Sequence, residues 1–197
     1  MDTVSQHDSV PKPPVDLAER MLLPRHTKGD RTAFPALMKA FQGPVYSYLI
    51  RCGIPKGFRE DLFQDIFIRI HSAAHTYHPE KPLKPWLFTV VANVVRTHLR
   101  RRRVEELVYP EHLQDPTPNG HAHLAALETA DFLDQTIQSL PLAQKEVILL
   151  SCIEGLSLKE TAETLNLPLG TTKTHLHRGR KTLTEALARR KQRSLKS

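Results

Sequence analysis

Apolar residues recur along this chain at helical spacing, and no segment alternates with the period of two that a half-buried strand requires. From Asp30 to Ile50 the stripe is Phe34, Leu37, Met38, Phe41, Val45, Tyr48 and Leu49. A second helix is expected from about Arg59 to Ala74 on Leu62, Phe63, Ile66, Phe67 and Ile70, and a third from Pro85 to about Arg103. Glycines and prolines in "RCGIPKG" and "HTYHPEKPLKP" separate these helices. The stretch "VEELVYPEHLQDPTPNGHAH" then loses the period and holds three prolines and a glycine, which reads as a linker. Helical spacing returns at Leu124–Leu140, Leu142–Glu154, Leu158–Leu165 and Leu169 to about Arg190. The expected fold is all-α, with two small helical domains joined by a flexible linker. A flexible leader would occupy residues 1–26, with a short helical turn from Asp16 to Leu23. The first domain would be 27–103, the linker 104–123, the second domain 124–190 and a basic tail 191–197.

Charge narrows the class of partner. Lys and Arg number 28 against 21 Asp and Glu, a net charge of +7, and the pI is about 9.6. Such a chain favours an anionic partner, nucleic acid or a membrane surface. No apolar run approaches the ~20 residues that span a bilayer, and the first residues, "MDTVSQHDSVPKPPVD", are polar with no apolar core. A soluble cytoplasmic protein is expected, with no membrane partner. Cys52 and Cys152 lie far apart without a CxxC, so two ordinary thiols in a reducing compartment are expected, with no structural metal and no cofactor.

The most informative stretch is "GLSLKETAETLNLPLGTTKTHLHRGRKTL". Ser157 and Glu160 form an S-x-x-E capping box that starts a helix at Leu158. Asn166 tolerates the left-handed conformation that ends it, and Pro168 opens the next helix, where an N–H is not needed. On that second helix Thr172, Leu176, Gly179 and Leu183 share the inner stripe. Lys173, Thr174, His177 and Arg178 face outward, flanked by Thr171 and His175, and no acid lies among them. Short hydroxyls beside Lys and Arg on an acid-free helix suit entry into a DNA major groove. A capped hairpin with a solvated basic face is the alternative.

In the first domain, Asp61, Gln64 and Asp65 share a face with Ile68, an acidic stripe with an apolar member that suits docking on a basic partner. The alternative is a face that serves solubility. Asn93, Arg96, Thr97 and Arg100 form a polar stripe opposite Leu87, Val91, Val94 and Val95, and the helix ends on four arginines, 100 to 103. That run exceeds what a helix C-terminus needs and favours phosphate contact. Trp86, the one tryptophan, begins this helix and could back a loop that receives an unstacked base. Two rivals fit parts of the pattern. One is a free-standing helix-turn-helix regulator, which leaves the Trp86–Arg103 stretch without a role. The other is a metalloenzyme using His71, His75 and His78, which lacks an HExxH motif and a clustered carboxylate.

The stretches "EDLFQDIFIRI", "KPWLFTVVANVVRTHLRRRR" and "LPLAQKEVILLSCIEGLSLKETAETLNLPLGTTKTHLHRGRKTL" resemble, in this order, the bacterial extracytoplasmic-function sigma factors. The resemblance covers about residues 28–103 and 124–188. It implies a non-catalytic initiation factor that directs core RNA polymerase to a set of promoters. By the resemblance, Asp61, Gln64, Asp65, Ile68 and Arg69 dock on the clamp of the largest polymerase subunit. Trp86, Asn93, Arg96, Thr97 and Arg100 serve the melted non-template strand at the −10 element, with the loop from about Thr76 to Lys84 capturing a flipped base. Thr171, Lys173, Thr174, His175, His177 and Arg178 read the −35 duplex. An anti-sigma protein is the implied regulator. The sequence departs from the family where it has Pro168, Thr172, His175 and Gly179, and Thr172 and Gly179 are expected to weaken the buried stripe.

Overall fold

The fold is that of a computed structural model, which describes residues 17–108 and 125–194. Among the described residues there is no strand. The first bundle consists of α1 (Leu17–Thr27), α2 (Ala33–Arg51), α3 (Lys56–Ala73) and α4 (Leu83–Val108), with a 3-10 turn at Ala74–Thr76. The second consists of α5 (Ala125–Ser139), α6 (Leu142–Ile148), α7 (Leu158–Leu165) and α8 (Leu169–Ser194), with a π-helical turn at Leu149–Ile153 after α6.

The helical period decides which faces are buried. Leu37, Phe41, Val45 and Leu49 of α2, Leu62, Ile66 and Ile70 of α3, and Leu87, Phe88, Val91 and Val95 of α4 form the first core. Three boundaries differ from the sequence expectation, the first being that α8 runs on to Ser194, into the stretch expected as a basic tail. Residues 17–27 form a helix packed on α2, where a flexible leader with a helical turn was expected; Leu23, 1% exposed, anchors it. The α4 helix continues past Arg103 to Val108, into the stretch expected as linker. The rest of that linker, residues 1–16 and residues 195–197 lie outside the described residues.

Asp30 builds the corner between α1 and α2. Its carboxylate accepts from the Thr32 hydroxyl at 2.6 Å, the Thr32 N–H at 2.9 Å and Arg25 Nη2 at 2.7 Å. The Thr32 bonds, then Arg25, hold its carboxyl down to about 2 from an ordinary 3.8. The folded value lies below the unfolded one, so this contribution to stability is present above the unfolded value and is lost as pH falls towards 2. Melting of Asp30→Asn against the parent should therefore show a Tm difference at about pH 5 that shrinks towards about pH 2. A constant difference would contradict the assignment.

The second core is formed by Val147, Ile148, Leu149, Leu150, Leu156, Leu165 and Leu176. Ser157 caps α7 with the reciprocal Glu160 bonds, and Asn166 ends it at φ 52°. Gly179 overturns one expectation. A Cβ there would stand 2.8 Å from Ile148 Cγ1 and 3.2 Å from Ile148 Cδ1. The glycine therefore does not weaken the buried stripe; it permits the close approach of α8 to α6. Thr172 is wholly buried on the same stripe, and its hydroxyl donates to the Pro168 carbonyl at 3.2 Å.

The sequence predicts two bundles on a tether, but the described residues pack them directly together, α4 against α7 and α2 against α5. Their buried apolar residues form one continuous cluster.

Candidate nucleic-acid interface

The helix-turn-helix presents the face expected of it. α8 is 26 residues, about 39 Å long at 1.5 Å per residue, and its N-terminal half crosses α7. Lys173, Thr174, His177 and Arg178 are exposed, while Thr171 and His175 are half-buried. Thr174 donates its hydroxyl to the Gly170 carbonyl at 3.0 Å, which leaves the oxygen's lone pairs facing out. His175 turns partly inward, its Nδ1 shielded from solvent without a hydrogen-bond partner. Leu176 between them is buried, which fixes the rotation of the helix and with it the face that solvent sees.

The residues expected at the −10 element do not form one patch. Asn93 and Thr97 line an open cleft of about 480 Å³ between the end of α3 and the middle of α4. Arg69, Ser72, His75 and Thr76 form the facing wall. Thr97 donates its hydroxyl to the Asn93 backbone carbonyl at 2.8 Å. Trp86 lies behind the wall. Its indole N–H donates to the Thr76 hydroxyl at 3.3 Å, and its ring lies 5.5 Å from that of Tyr77. Tyr77 in turn donates to the Lys81 carbonyl at 2.8 Å and pins the loop that leads into α4. Arg100 is exposed one turn beyond Arg96.

Arg96 points elsewhere. Its guanidinium is forked on the Glu146 carboxylate, Nε to Oε1 at 2.8 Å and Nη2 to Oε2 at 2.7 Å, and Nη1 donates to the Leu165 carbonyl at 3.1 Å. Glu146 is 1% exposed. Burial pushes its carboxyl up, opposed by the Arg96 bonds and charge. Cys52, at the same junction, is driven to about 12, chiefly by burial and then by Glu146. The sequence shows neither Glu146 nor its role, because a Glu beside Lys145 on a short helix reads as a surface pair until the partner bundle is placed.

On α3, Asp61, Gln64, Ile68 and Arg69 are exposed and Asp65 is half-buried. Asp65 accepts twice from Arg69 Nε at 3.0 Å. Ile68, 64% exposed, stands at the edge of an apolar groove of about 370 Å³ lined by Phe34, Met38, Phe63 and Phe67. Phe34 and Met38 of α2 are the part of this surface that reading α3 alone misses. His71 packs on His26 and Phe34, with ring centroids at 4.7 and 5.2 Å. Among the described residues no group of three His, Cys, Asp or Glu side chains could hold a metal, which leaves the His71, His75 and His78 reading without a cluster.

A helix-turn-helix with an acid-free outer face, carried beside a bundle with an aromatic-backed cleft, defines an all-α DNA-binding factor. Residues 37–105 match Sigma-70 region 2 and residues 133–183 match Sigma-70, region 4. The chain belongs to the extracytoplasmic-function sigma factors of the sigma-70 family, and it directs RNA polymerase to promoters. It is 28% identical over 171 residues to the ECF RNA polymerase sigma factor SigW of Bacillus subtilis, covering 81% of this chain and 91% of that protein. It is 33% identical over 170 residues to the ECF RNA polymerase sigma factor SigE of Mycolicibacterium smegmatis, covering 82% of this chain and 65% of that protein. The fold is similar to that of the sigma factor RpoE in its complex with the anti-sigma factor NepR from Bartonella quintana. That match has a TM-score of 0.70 at 23% identity, covering 79% of this chain and 96% of that one. The region 2 match takes in Trp86 to Arg103, the stretch that a free-standing regulator leaves without a role, and that reading is not favoured.

Proposed function

We propose that this sigma factor divides its work among three surfaces. The exposed face of α3, Asp61, Gln64, Asp65, Ile68 and Arg69, docks with the adjoining apolar groove on the clamp of the largest polymerase subunit. The cleft of Asn93 and Thr97, braced from behind by Trp86, receives a base of the melted non-template strand, with Arg96 and Arg100 serving its phosphates. Lys173, Thr174, His177 and Arg178, with Thr171 and His175 at the edges, read the −35 duplex. The observation that carries this division is that each surface is chemically distinct and open: acidic with an exposed isoleucine, polar with an aromatic brace, and basic without acids.

The factor has no catalysis of its own; its family comprises non-catalytic regulators, and its work is positioning. No helix among the described residues is long and apolar enough to cross a membrane, and the cytoplasm, where polymerase acts, is the proposed location. Because solved relatives are described in complexes with NepR and with the cytosolic domain of CnrY, we also propose an anti-sigma protein as regulator of this chain.

Run-off transcription with purified bacterial core polymerase on genomic fragments tests the reading. Discrete transcripts that depend on the chain are expected, and Arg178→Ala should weaken them. If Arg178 contacts a base, the loss in affinity for the upstream duplex is about 1–3 kcal/mol, or roughly 5- to 150-fold. A core polymerase that neither co-elutes with the chain nor starts new transcripts would refute the assignment.

A further inference from the structure

We propose that the seam between α3 and α4 carries a second binding point for single-stranded nucleic acid. There Phe58 offers a stacking face and the arginines at the end of α4 take the phosphates. Phe58, in the first turn of α3, is 45% exposed. Its ring lies 5.3 Å from that of His98, and the Arg102 guanidinium carbon stands 5.4 Å from the ring centre. Burial, then Arg102, pushes His98 down from its ordinary value, so it packs against Phe58 as a neutral ring. A guanidinium laid on an aromatic ring makes a flat layer, and bases stack on such layers. Arg100, Arg101 and Arg103 are exposed on the same stretch of α4.

This point is separate from the Asn93 cleft but lies on the same path. Along α4, Asn93, Thr97 and Arg101 follow one another at steps of four, which keeps them on one flank of the helix. Along α3, Arg69, Asp65 and Phe58 do the same at steps of four and seven. The two rows meet at both ends: Arg69 lines the cleft with Asn93 and Thr97, and Phe58 meets Arg102. From Asn93 to Arg102 is about 14 Å of helix at 1.5 Å per residue, or about four steps of a stacked strand at 3.4 Å. Asp65, the acid in the α3 row, accepts from Arg69 at 3.0 Å, so its charge is met within the seam.

Chemistry selects the occupant. A paired duplex buries its base faces and a lipid surface has none. An exposed ring beside a run of cations suits a strand whose bases are free. The inference rests on the strand-capture reading of the cleft, because it makes the cleft and Phe58 two holds on one strand. Two linked holds raise affinity through effective concentration, beyond what either supplies alone.

Fluorescence anisotropy of the full chain with labelled oligo-dT of about 4 and about 12 nucleotides tests this without polymerase. The parent should hold the longer strand far more tightly, because only that strand reaches both points. Phe58→Leu keeps an apolar side chain at the start of α3 and removes the aromatic face. It should weaken binding of the longer strand roughly 5- to 150-fold and erase most of the length dependence, and Phe58→Trp should retain both. Arg101→Gln should flatten the salt dependence by about 0.7 in log–log slope, the share of one phosphate contact on a single strand. Binding of a blunt duplex of the longer length should be indifferent to Phe58→Leu. If Phe58→Leu loses helicity by circular dichroism, Arg102→Gln, which strips the layer from the ring, decides by the same criterion. Parental affinity in the folded variant, an equal loss on the duplex, or a parent without length dependence would overturn the proposal. A loss in Phe58→Leu with none in Asn93→Ala would count against the strand-capture reading of the cleft and leave the Phe58 site standing.

Discussion

Trp86→Ala is expected to abolish most promoter-specific transcription while leaving association with core polymerase near that of the parent. Trp86 lies away from the α3 docking face and holds the wall of the cleft through Thr76 and Tyr77. Two effects are lost together in the alanine variant. Removing the ring that packs on Tyr77 behind the cleft wall costs about 1.5–3 kcal/mol of burial, and the indole hydrogen bond adds about 0.5–1.5 kcal/mol. The ring's packing is the larger effect, so Trp86→Phe, which keeps a ring and loses the N–H, should retain most activity. Run-off yield at saturating core polymerase reads the outcome, with circular dichroism checking that the bundle remains folded. Equal losses in the alanine and phenylalanine variants would assign the effect to the hydrogen bond, and parental activity in Trp86→Ala would remove the residue from the mechanism.

Gly179→Ala is expected to destabilise the second bundle, although an exposed helix would gain from the same change. Helix propensity favours alanine by about 1 kcal/mol. Against this, the new Cβ meets Ile148 Cγ1 at 2.8 Å, and Ile148 is 2% exposed with neighbours on every side. Overpacking of this kind costs about 1–3 kcal/mol, so the clash outweighs the propensity and a net loss of up to about 2 kcal/mol is expected by chemical denaturation. The diagnostic is a sign reversal. In an Ile148→Ala background, where Cγ1 and Cδ1 are gone, Gly179→Ala should stabilise, and a double-mutant cycle measures the coupling. If the substitution stabilises the parent chain as well, α8 does not approach α6 as closely as described.

The helices were legible because their period is a local property. Ser157 with Glu160, Asn166 and the stripe through Leu176 mark α7 and the start of α8 to the residue, since each cap is satisfied by atoms within a few positions along the chain. The end of α4 was not. Arginines 100 to 103 read as a terminus, yet the helix continues to Val108, because charged residues are good helix formers and nothing before Pro110 interrupts them. The helix at 17–27 was legible only as a turn, since its stability comes from Leu23 burying against α2 and not from its own pattern.

The candidate surfaces divide along the same line. The outward set Lys173, Thr174, His177 and Arg178 follows from the sequence, because the helical repeat and a single buried leucine orient that face. Asn93, Arg96, Thr97 and Arg100 share a stripe by the same rule, but the rule does not say what lies opposite. The tertiary structure turns Asn93 and Thr97 to a cleft and Arg96 to a carboxylate on another bundle. By itself, then, the sequence determined two helical bundles, their caps and a basic reading face, all consequences of residue spacing within a turn or two. Only the tertiary structure decided that Gly179 is a contact point, that Glu146 is buried and that Arg96 is held by it. Those facts depend on residues far apart in the chain meeting at a few ångströms, which no local period encodes.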